Sequence, residues 1–246
     1  MDALMSPPTW PPSHIAVHAS VPATMGPSDD HELLEAWQAG DRKAADKLLQ
    51  RHYDLVRRTI RTKTPEHAVD DLTQRVFTAL IEGHDKIREG ASIRAYMLTI
   101  ARRVIADFYG RRKNRPIADE DIAQHSIVAL GVGPVTLLLE RQENRLLLEA
   151  LREIPLRHQF VLELYYWEDF SGPELAQALE CTESAVRGKI RRAKEQLTAK
   201  IGMLTRDRRE FADTVTDLDA WALQLRDELR ARYPQLRPPQ AADPQV

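Results

Sequence analysis

Apolar residues recur three and four positions apart over most of this chain, and this spacing limits its fold more than any other feature. A three- and four-residue repeat places side chains on one face of an α-helix, whereas a half-buried β-strand needs strict alternation. The run from Ser28 to Ile60 has the helical repeat, and residues 29–115 contain no alternating stretch. The sequence therefore predicts an all-α fold.

Breaks in the repeat predict two small helical domains joined by a flexible acidic linker. Six prolines precede Ser28, and Asp119, Glu120 and Asp121 precede a cluster of glycine and proline, so both stretches are typical of irregular chain. The predicted segments are a disordered proline-rich arm (1–28), a helical domain (29–115), the linker (116–134), a helix-turn-helix domain (135–202), a C-terminal amphipathic helix (203–233) and a disordered tail (234–246).

Residues 171–197 predict two short helices joined by a tight turn. Ser171 and Glu174 have the spacing of a capping box, Thr182 can cap the second helix, and Glu180 stands in the turn where glycine is common. The second helix is predicted to bury Ala185, Val186, Ile190, Ala193 and Leu197 and to expose Arg187, Lys189, Arg191, Arg192 and Lys194. A cationic outer face suits the major groove of DNA, although a solvated basic helix in a hairpin gives the same pattern.

A second cationic stretch lies at residues 94–115, with seven basic residues against one acid and with Tyr96, Phe108 and Tyr109 among them. Cations bind phosphates, and exposed aromatic rings stack on unpaired bases, so the stretch predicts contact with nucleic acid. The alternative, favoured for Phe108, is that the aromatic side chains belong to the core and the basic run ends a solvated helix.

The formal net charge of −2 argues by itself against a nucleic-acid partner. However, residues 94–115 carry +6 and residues 181–200 carry +4, so the rest of the chain carries −12. Two cationic patches in an acidic body predict a protein that binds free DNA weakly and acts beside a partner.

Other features exclude several classes of protein. The longest mainly apolar stretch, residues 127–139, is shorter than the roughly 20 residues of a spanning helix, and the N-terminus lacks the pattern of a secretory signal. We therefore expect a cytoplasmic protein without membrane insertion. Cys181 is the single cysteine, which excludes an intrachain disulfide, and it is predicted to be a half-buried turn residue. No cofactor, metal or catalytic residue is predicted.

Several segments then carry a family resemblance. Residues 41–48 read DRKAADKL, residues 69–80 read VDDLTQRVFTAL and residues 93–113 read IRAYMLTIARRVIADFYGRRK. Residues 150–167 read ALREIPLRHQFVLELYYW and lead into residues 171–197, SGPELAQALECTESAVRGKIRRAKEQL. In this order the segments resemble bacterial RNA polymerase sigma factors of the extracytoplasmic-function type, whose two domains are called regions 2 and 4. The resemblance covers about residues 30–201.

The resemblance implies a sigma factor that binds core RNA polymerase and directs promoter recognition and opening. It implies a nucleoid-associated protein whose partners are polymerase, promoter DNA and an anti-sigma factor or other regulator. Asp70, Asp71 and Gln74 would face the polymerase clamp, and the loop 83–92 would hold a flipped base. The linker would thread toward the RNA channel. The implied DNA contacts are Arg94, Tyr96, Arg102, Arg103, Arg111, Arg112 and Lys113 at the minus-ten element and Arg187, Gly188, Lys189, Arg191 and Arg192 at the minus-thirty-five element.

Three residues depart from the pattern of the family. Arg75 follows Gln74 where an acid is usual, Tyr96 stands where tryptophan is frequent, and Arg103 stands where asparagine is common. These departures bear on polymerase docking and promoter specificity.

Two other functions are compatible with parts of the sequence. A helix-turn-helix repressor would use its N-terminal half for dimerisation or ligand binding and would not need the basic stretch at residues 94–115. A metal-dependent phosphohydrolase would use His52, His67, His84-Asp85 and Asp107, which requires these ligands to face one cavity.

Two features remain without an assigned role. The C-terminal segment places Phe211, Val215, Leu218, Ala222, Leu225 and Leu229 on one seam of a charged helix. This helix either folds back on a domain, binds a regulatory partner, or extends the core of region 4. Thr73, beside the acids that would face polymerase, is a position where phosphorylation would add charge.

Overall fold

The structure, a computed structural model, describes residues 28–111, 142–205 and 218–232. Within these ranges the chain forms α-helices and a 3₁₀ turn and contains no β-strand, so the prediction of an all-α fold is confirmed. The predicted arm up to residue 27, the whole predicted linker (116–134) and the tail lie outside the described residues. No helix in the described ranges is long and apolar enough to cross a bilayer.

The helices follow one another in three described stretches. The first contains α1 (Ser28–Gln38), α2 (Arg42–Arg61), α3 (Glu66–Gly83), the 3₁₀ turn His84–Lys86 and α4 (Ile93–Arg111). The second contains α5 (Gln142–Glu153), α6 (Leu156–Tyr166), α7 (Gly172–Ala178) and α8 (Glu183–Thr205), and the third is α9 (Leu218–Arg232).

The predicted helical run from Ser28 to Ile60 is interrupted and forms two helices. Gly40 has a φ of +99°, a conformation that side-chain-bearing residues rarely adopt, and it turns the chain after α1. Asp41 then caps α2, because its Oδ1 accepts a hydrogen bond of 2.8 Å from the backbone N–H of Lys43. The three- and four-residue repeat alone does not reveal this break.

The first core lies between α1, α2, α3 and α4. Its fully buried side chains include Leu48, Val56, Ile60, Val69, Leu72, Val76, Leu80, Met97 and Leu98. A polar contact ties α1 to α2: Asp30 Oδ1 accepts from Arg51 at 2.5 Å, and Oδ2 lies 2.7 Å from Nε2 of buried His52. Burial raises the pKa of Asp30, but the hydrogen bonds and charges of His52 and Arg51 outweigh it and hold the pKa below the ordinary value.

The second core lies between α5, α6 and α8, and α9 covers part of it. Its buried side chains include Leu147, Ile154, Leu162, Tyr166, Ala193, Leu197, Ile201 and, from α9, Ala222. Arg226 of α9 also donates to Asp169, in the connection between α6 and α7, at 2.9 Å. The described part of the C-terminal helix therefore packs on the second half of the chain, as the core-extension alternative predicts, while Phe211 and Val215 lie outside the described residues.

The two halves also share one continuous apolar cluster. Phe160, Leu164, Phe170, Leu175, Ala178 and Val186 belong to the same buried cluster as the side chains of α2, α3 and α4. The most extensive contact between the halves joins α7 to the start of α4, where Gln177 donates to and accepts from the backbone of Ser92. The sequence predicts two separate domains, and the structure places them against each other.

Candidate nucleic-acid interface

The helix-turn-helix has the caps and the tight turn that its local sequence predicts, but its second helix, Glu183–Thr205, is 23 residues long, which corrects the prediction of two short helices. Ser171 Oγ accepts from the backbone N–H of Glu174, whose side chain accepts from the backbone of Ser171, which completes the capping box of α7. Glu180 stands in the turn where glycine is common, and its φ of 51° strains the backbone at this non-glycine residue. Thr182 Oγ1 accepts from the backbone N–H of Ala185 at 3.3 Å and caps α8.

The outer face of α8 presents cations to solvent. Four basic side chains are exposed there: Arg187, Lys189, Arg191 and Arg192. Gly188 lies between them, and a methyl group added to it would meet no atom within 4 Å apart from its chain neighbours and the backbone of its own helix. Val186, Ala193 and Leu197 are buried as predicted and Ile190 is half-buried. Ala185 is exposed, which corrects the prediction that it lies on the inner face, because it stands in the first turn before the helix reaches the core.

A groove of about 800 Å³ runs beside this face. Tyr165, Ile190 and Leu218 form its apolar part, and Arg187, Arg191 and Lys194 stand at its edge. The ammonium of Lys194 lies 4.9 Å from the centre of the Tyr165 ring, a cation–π contact. The start of α9 therefore borders the cationic face of α8.

His158 lies behind the cationic face and is buried. Burial, with the positive charges of Arg157, Lys189 and Arg192, lowers the pKa of His158 to about 4. The imidazole is therefore neutral at pH 7 and adds no charge to the surface in front of it.

The cationic side chains of α4 are engaged with the helix-turn-helix half. Arg94 is 3% exposed, and its guanidinium donates to both carboxylate oxygens of Glu174 at 2.6 Å and lies 4.3 Å from the Phe170 ring centre. Arg102 and Arg103 both donate to the carboxylate of Glu180. In this arrangement Arg94 does not lie on an exposed surface, contrary to what a DNA-contacting role suggests, because its guanidinium is held between the half-buried carboxylate of Glu174 and the Phe170 ring.

Of the other residues predicted to contact the minus-ten element, Tyr96 is described in full, and the basic residues at the end of α4 are not. Tyr96 is half-buried, and burial raises the pKa of its phenol. A methyl group at Gly83 would lie 2.8 Å from the Tyr96 hydroxyl, so the end of α3 closely approaches this ring. Arg111 ends α4 and its side chain is not described, and Arg112 and Lys113 lie outside the described residues. Phe108 is half-buried against the first core, as predicted.

Asp70, Asp71 and Gln74 are all exposed on α3. Asp70 accepts from Arg57 at 2.9 Å and still keeps 85% of its side chain exposed. Arg75, the departure from the family pattern, lies 3.5 Å from Asp107 of α4. Thr73 is buried, so the position considered for phosphorylation is not accessible in this structure.

The loop after α3 is fixed from the side of α1. The Trp37 ring stacks on His84 with centroids 4.2 Å apart, and Gln38 Nε2 donates to the carbonyl oxygens of His84 and Ile87. The backbone N–H of Gly90 donates to His31 Nε2 at 3.4 Å. These contacts hold the loop 83–92 against α1.

The ligands that a phosphohydrolase needs are not assembled. In the described ranges one group of three possible metal ligands occurs, His31 with Glu35 and Glu89. His31 already contacts Glu35 through Nδ1 and Gly90 through Nε2. None of the histidines and aspartates considered for a phosphohydrolase belongs to this group. Cys181 is half-buried as predicted, and burial raises the pKa of its thiol.

Acidic residues of the second half are the part of the site that sequence reasoning missed. Glu163 binds Lys63, Glu168 binds Arg58 through both oxygens, and these partners are about a hundred residues apart in the chain. Glu168, Glu174 and Glu180 recur every six residues. That regular acidic spacing is the one signal in the sequence for an acidic face on the helix-turn-helix half.

Comparisons with known proteins agree with this architecture. A family model described as Sigma-70 region 2 matches residues 48–115, and one described as Sigma-70, region 4 matches residues 144–197. The region 2 match covers the half that a repressor would use for dimerisation. The two regions in this order define the class of sigma-70 proteins.

Curated relatives give the type within this class. RNA polymerase sigma factor NccH of Alcaligenes xylosoxydans xylosoxydans is 27% identical over 176 residues, which are 70% of this chain and 95% of the relative. The ECF RNA polymerase sigma-E factor of Escherichia coli (strain K12) is 23% identical over 184 residues, 72% of this chain and 96% of the relative. This chain belongs to the sigma-70 family as an RNA polymerase sigma factor of the extracytoplasmic-function type, and it directs promoter-specific initiation of transcription.

A solved structure shares the fold. The structure of CnrH in complex with the cytosolic domain of CnrY matches with a TM-score of 0.52 at 23% identity, and the match covers 71% of this chain and 98% of that one. This likeness supports the assignment of two helical domains of the region 2 and region 4 kinds.

Proposed function

We propose that the two cationic faces divide promoter recognition between them. The exposed face of α8, with Arg187, Lys189, Arg191 and Arg192 beside Gly188, reads the minus-thirty-five element in the major groove. The observation that carries this proposal is the set of four exposed cations on one side of α8. This helix follows a tight turn, is capped by Thr182, and packs on the core through its opposite face. Arginine in such a position reaches guanine edges in two parallel hydrogen bonds, and lysine reaches phosphates.

The region 2 half acts on the minus-ten element. Arg102 and Arg103, together with Arg111, Arg112 and Lys113, hold the backbone of the displaced strand, and Tyr96 offers a ring on which a base can stack. The loop 83–92 captures a flipped base. Contacts from Trp37, Gln38 and His31 hold the loop in place before DNA binds, and this preformed arrangement supports the role.

Polymerase docks on α3. Asp70, Asp71 and Gln74 form an exposed polar face with two carboxylates, and these are the residues that the resemblance places against the polymerase clamp. Since the factor acts with polymerase at promoters, we further propose that it is associated with the nucleoid. The matched CnrH structure contains the cytosolic domain of CnrY, which supports a regulatory protein partner, such as an anti-sigma factor, for this chain as well.

Run-off transcription with core RNA polymerase tests the assignment of α8. On a promoter that the wild-type chain uses, Arg187→Ala and Arg191→Ala should each weaken use of the upstream box by about 1–3 kcal/mol, because each removes one base or phosphate contact. Lys200→Ala is the matched control: Lys200 lies on the same helix and pairs with Glu153 at 3.1 Å, away from the reading face. Equal transcription from wild type and both arginine variants would refute the assignment.

A further inference from the structure

Acidic side chains of the helix-turn-helix half cover the cationic face of region 2. Each contact joins a glutamate near α7 to a guanidinium on α2 or α4. The pairs are Glu168 with Arg58, Glu174 with Arg94, and Glu180 with both Arg102 and Arg103. Burial raises the pKa of Glu174, but the hydrogen bond and charge of Arg94, with Ser171, outweigh it and hold the pKa below its ordinary value, so this carboxylate is charged at pH 7.

Glu180 binds its two arginines as a phosphate group would. Oε2 of Glu180 accepts from Arg102, and Oε1 accepts from Arg103. Arg103 Nε also donates to Oε2 at 3.2 Å. A phosphodiester likewise offers two oxygens that share one negative charge and match the fork of a guanidinium. The carboxylate therefore occupies the place where these arginines would hold a strand phosphate.

The contact of Glu180 with Arg102 and Arg103 also holds the cationic faces of α4 and α8 too close together for both to bind their promoter elements at once. Arg192 lies twelve residues after Glu180, so at 1.5 Å per residue along a helix the reading face of α8 lies within roughly 20 Å of the α4 arginines. Elements centred ten and thirty-five base pairs before a start site are separated by roughly 85 Å at 3.4 Å per base pair. The arrangement with Glu180 on Arg103 cannot contact both elements.

We propose that this arrangement is a closed state of the sigma factor in which the acidic face of the helix-turn-helix domain, with Glu180 as a phosphate mimic, excludes nucleic acid from α4. The inference rests on the proposed role of α4 in holding the minus-ten strand. It explains how a chain with two cationic faces keeps a low affinity for free DNA until a partner separates its halves.

The polar contacts of the closed state stabilise it only weakly, so opening costs mainly the exposure of the apolar cluster that the halves share. A buried ion pair such as Arg58–Glu168 loses most of its attraction to the cost of removing both charges from water. Burial accordingly raises the pKa of Glu168, against the opposing charge of Arg58. The apolar cluster shared by α4 and α7 holds the halves together, and the glutamates determine which surface is covered.

Glu180 is the position at which to test the proposal, because its removal does not threaten the fold. Its side chain is 23% exposed, and glycine adopts its φ of 51° without strain, so Glu180→Gly preserves the turn. Glu180→Gln keeps the size of the side chain and removes only its charge. Glu183→Gln is the matched control, since Glu183 is an exposed acid three residues further on, outside the contact with α4.

The measurement is fluorescence anisotropy of a labelled 20-nucleotide single-stranded DNA of mixed sequence, titrated with the full chain without polymerase. Glu180→Gly and Glu180→Gln should each bind about tenfold more tightly than wild type at 50 mM salt, and Glu183→Gln should bind like wild type. Two freed arginines should also steepen the dependence of log K on log salt by about 0.7–1.4, at roughly 0.7 per phosphate.

Equal affinity of wild type and both Glu180 variants would overturn the proposal, and so would an equal gain in Glu183→Gln, which would show a general charge effect. The double variant Arg102→Ala/Arg103→Ala separates this result from the proposed function. If it abolishes promoter opening by the holoenzyme, measured by permanganate reactivity, while the Glu180 variants gain nothing, the masking alone is refuted. If it leaves opening intact, the assigned role of α4 is refuted and the masking with it.

Discussion

Glu180 joins two roles at one residue, because it turns the chain between α7 and α8 and also binds Arg102 and Arg103. A left-handed backbone conformation at a non-glycine residue costs roughly 1–2 kcal/mol, and Glu180 adopts one with a φ of 51°. Glycine would fit this turn better than glutamate. The strained residue therefore stands where its carboxylate reaches across to α4.

Two substitutions at this position separate the backbone from the side chain. Glu180→Ala and Glu180→Gly both lose the contacts with the arginines, but only glycine relieves the strain. We expect the glycine variant to be more stable than the alanine variant by about 1 kcal/mol in the free energy of unfolding, measured with urea. Equal stability of the two variants would show that the turn is not strained.

His158 predicts a dependence of stability on pH that acidic residues do not produce. The folded state keeps this imidazole neutral down to its pKa of about 4, whereas the unfolded chain protonates it near 6.5. Stability is therefore fully present above pH 6.5 and is lost as the pH falls from there toward 4. Asp30 and Glu174, whose lowered pKa values act in the acid range, lose their contributions only at lower pH.

Measuring the free energy of unfolding of wild type and variants at pH 7.5 and pH 5.5 tests the role of His158. Wild type should lose about 1 kcal/mol more than His158→Gln over this interval, since glutamine does not titrate. His67→Gln, at an exposed position on α3, is the control and should behave like wild type. The same loss in wild type and in His158→Gln would remove His158 as the cause.

Single residues also show where reasoning from sequence succeeds and fails. The spacing of charges and apolar residues on α8 predicts four of its five cations and most of its buried face correctly, because a helix face is a local property. The fifth cation, Lys194, is half-buried against Tyr165. The same reasoning places Arg94 with the DNA contacts, and it is buried against Glu174, 80 residues further along the chain. Burial by a distant partner has no counterpart in the local pattern.

At the scale of elements, α9 belongs to the second core. Its Ala222 is buried among Leu162, Tyr166 and Ala193, whereas the next residue, Leu223, is 41% exposed. The three- and four-residue seam predicts that this helix needs a partner surface, and the structure supplies one from the same chain. Which surface it takes depends on shape at α6 and α8, and the sequence alone leaves that choice open.

Adjacent substitutions on α9 test this packing. Ala222→Asp should lower the free energy of unfolding by more than about 2 kcal/mol, since it buries an unpaired charge, and Leu223→Asp should change it by less than about 0.5 kcal/mol. Urea unfolding monitored by tryptophan fluorescence reports this, because Trp167 lies in the same core. If both substitutions cost the same, α9 does not pack through Ala222.

At the scale of the molecule, two separately recognisable DNA-binding halves form one closed body. The sequence predicts both halves and their order. It does not predict that Glu168, Glu174 and Glu180 close one half on the other, because each acid could equally face water. The charge count is compatible with closure: the acidic remainder of the chain includes the residues that cover the cationic patch of α4.

The free factor is expected to be closed, and core RNA polymerase is expected to open it. Energy transfer between dyes at Glu82→Cys and Gln196→Cys, exposed positions on α3 and α8, in a Cys181→Ser background reports the separation of the halves. Asp71→Lys, which reverses a charge on the docking face, should weaken the response to polymerase, and Glu32→Lys on α1 should not.

We predict high transfer in the free chain and a large decrease when core polymerase is added, with the Glu180→Gly variant already shifted toward low transfer. Transfer that is low in the free chain, or that stays unchanged while polymerase is bound, would contradict the account.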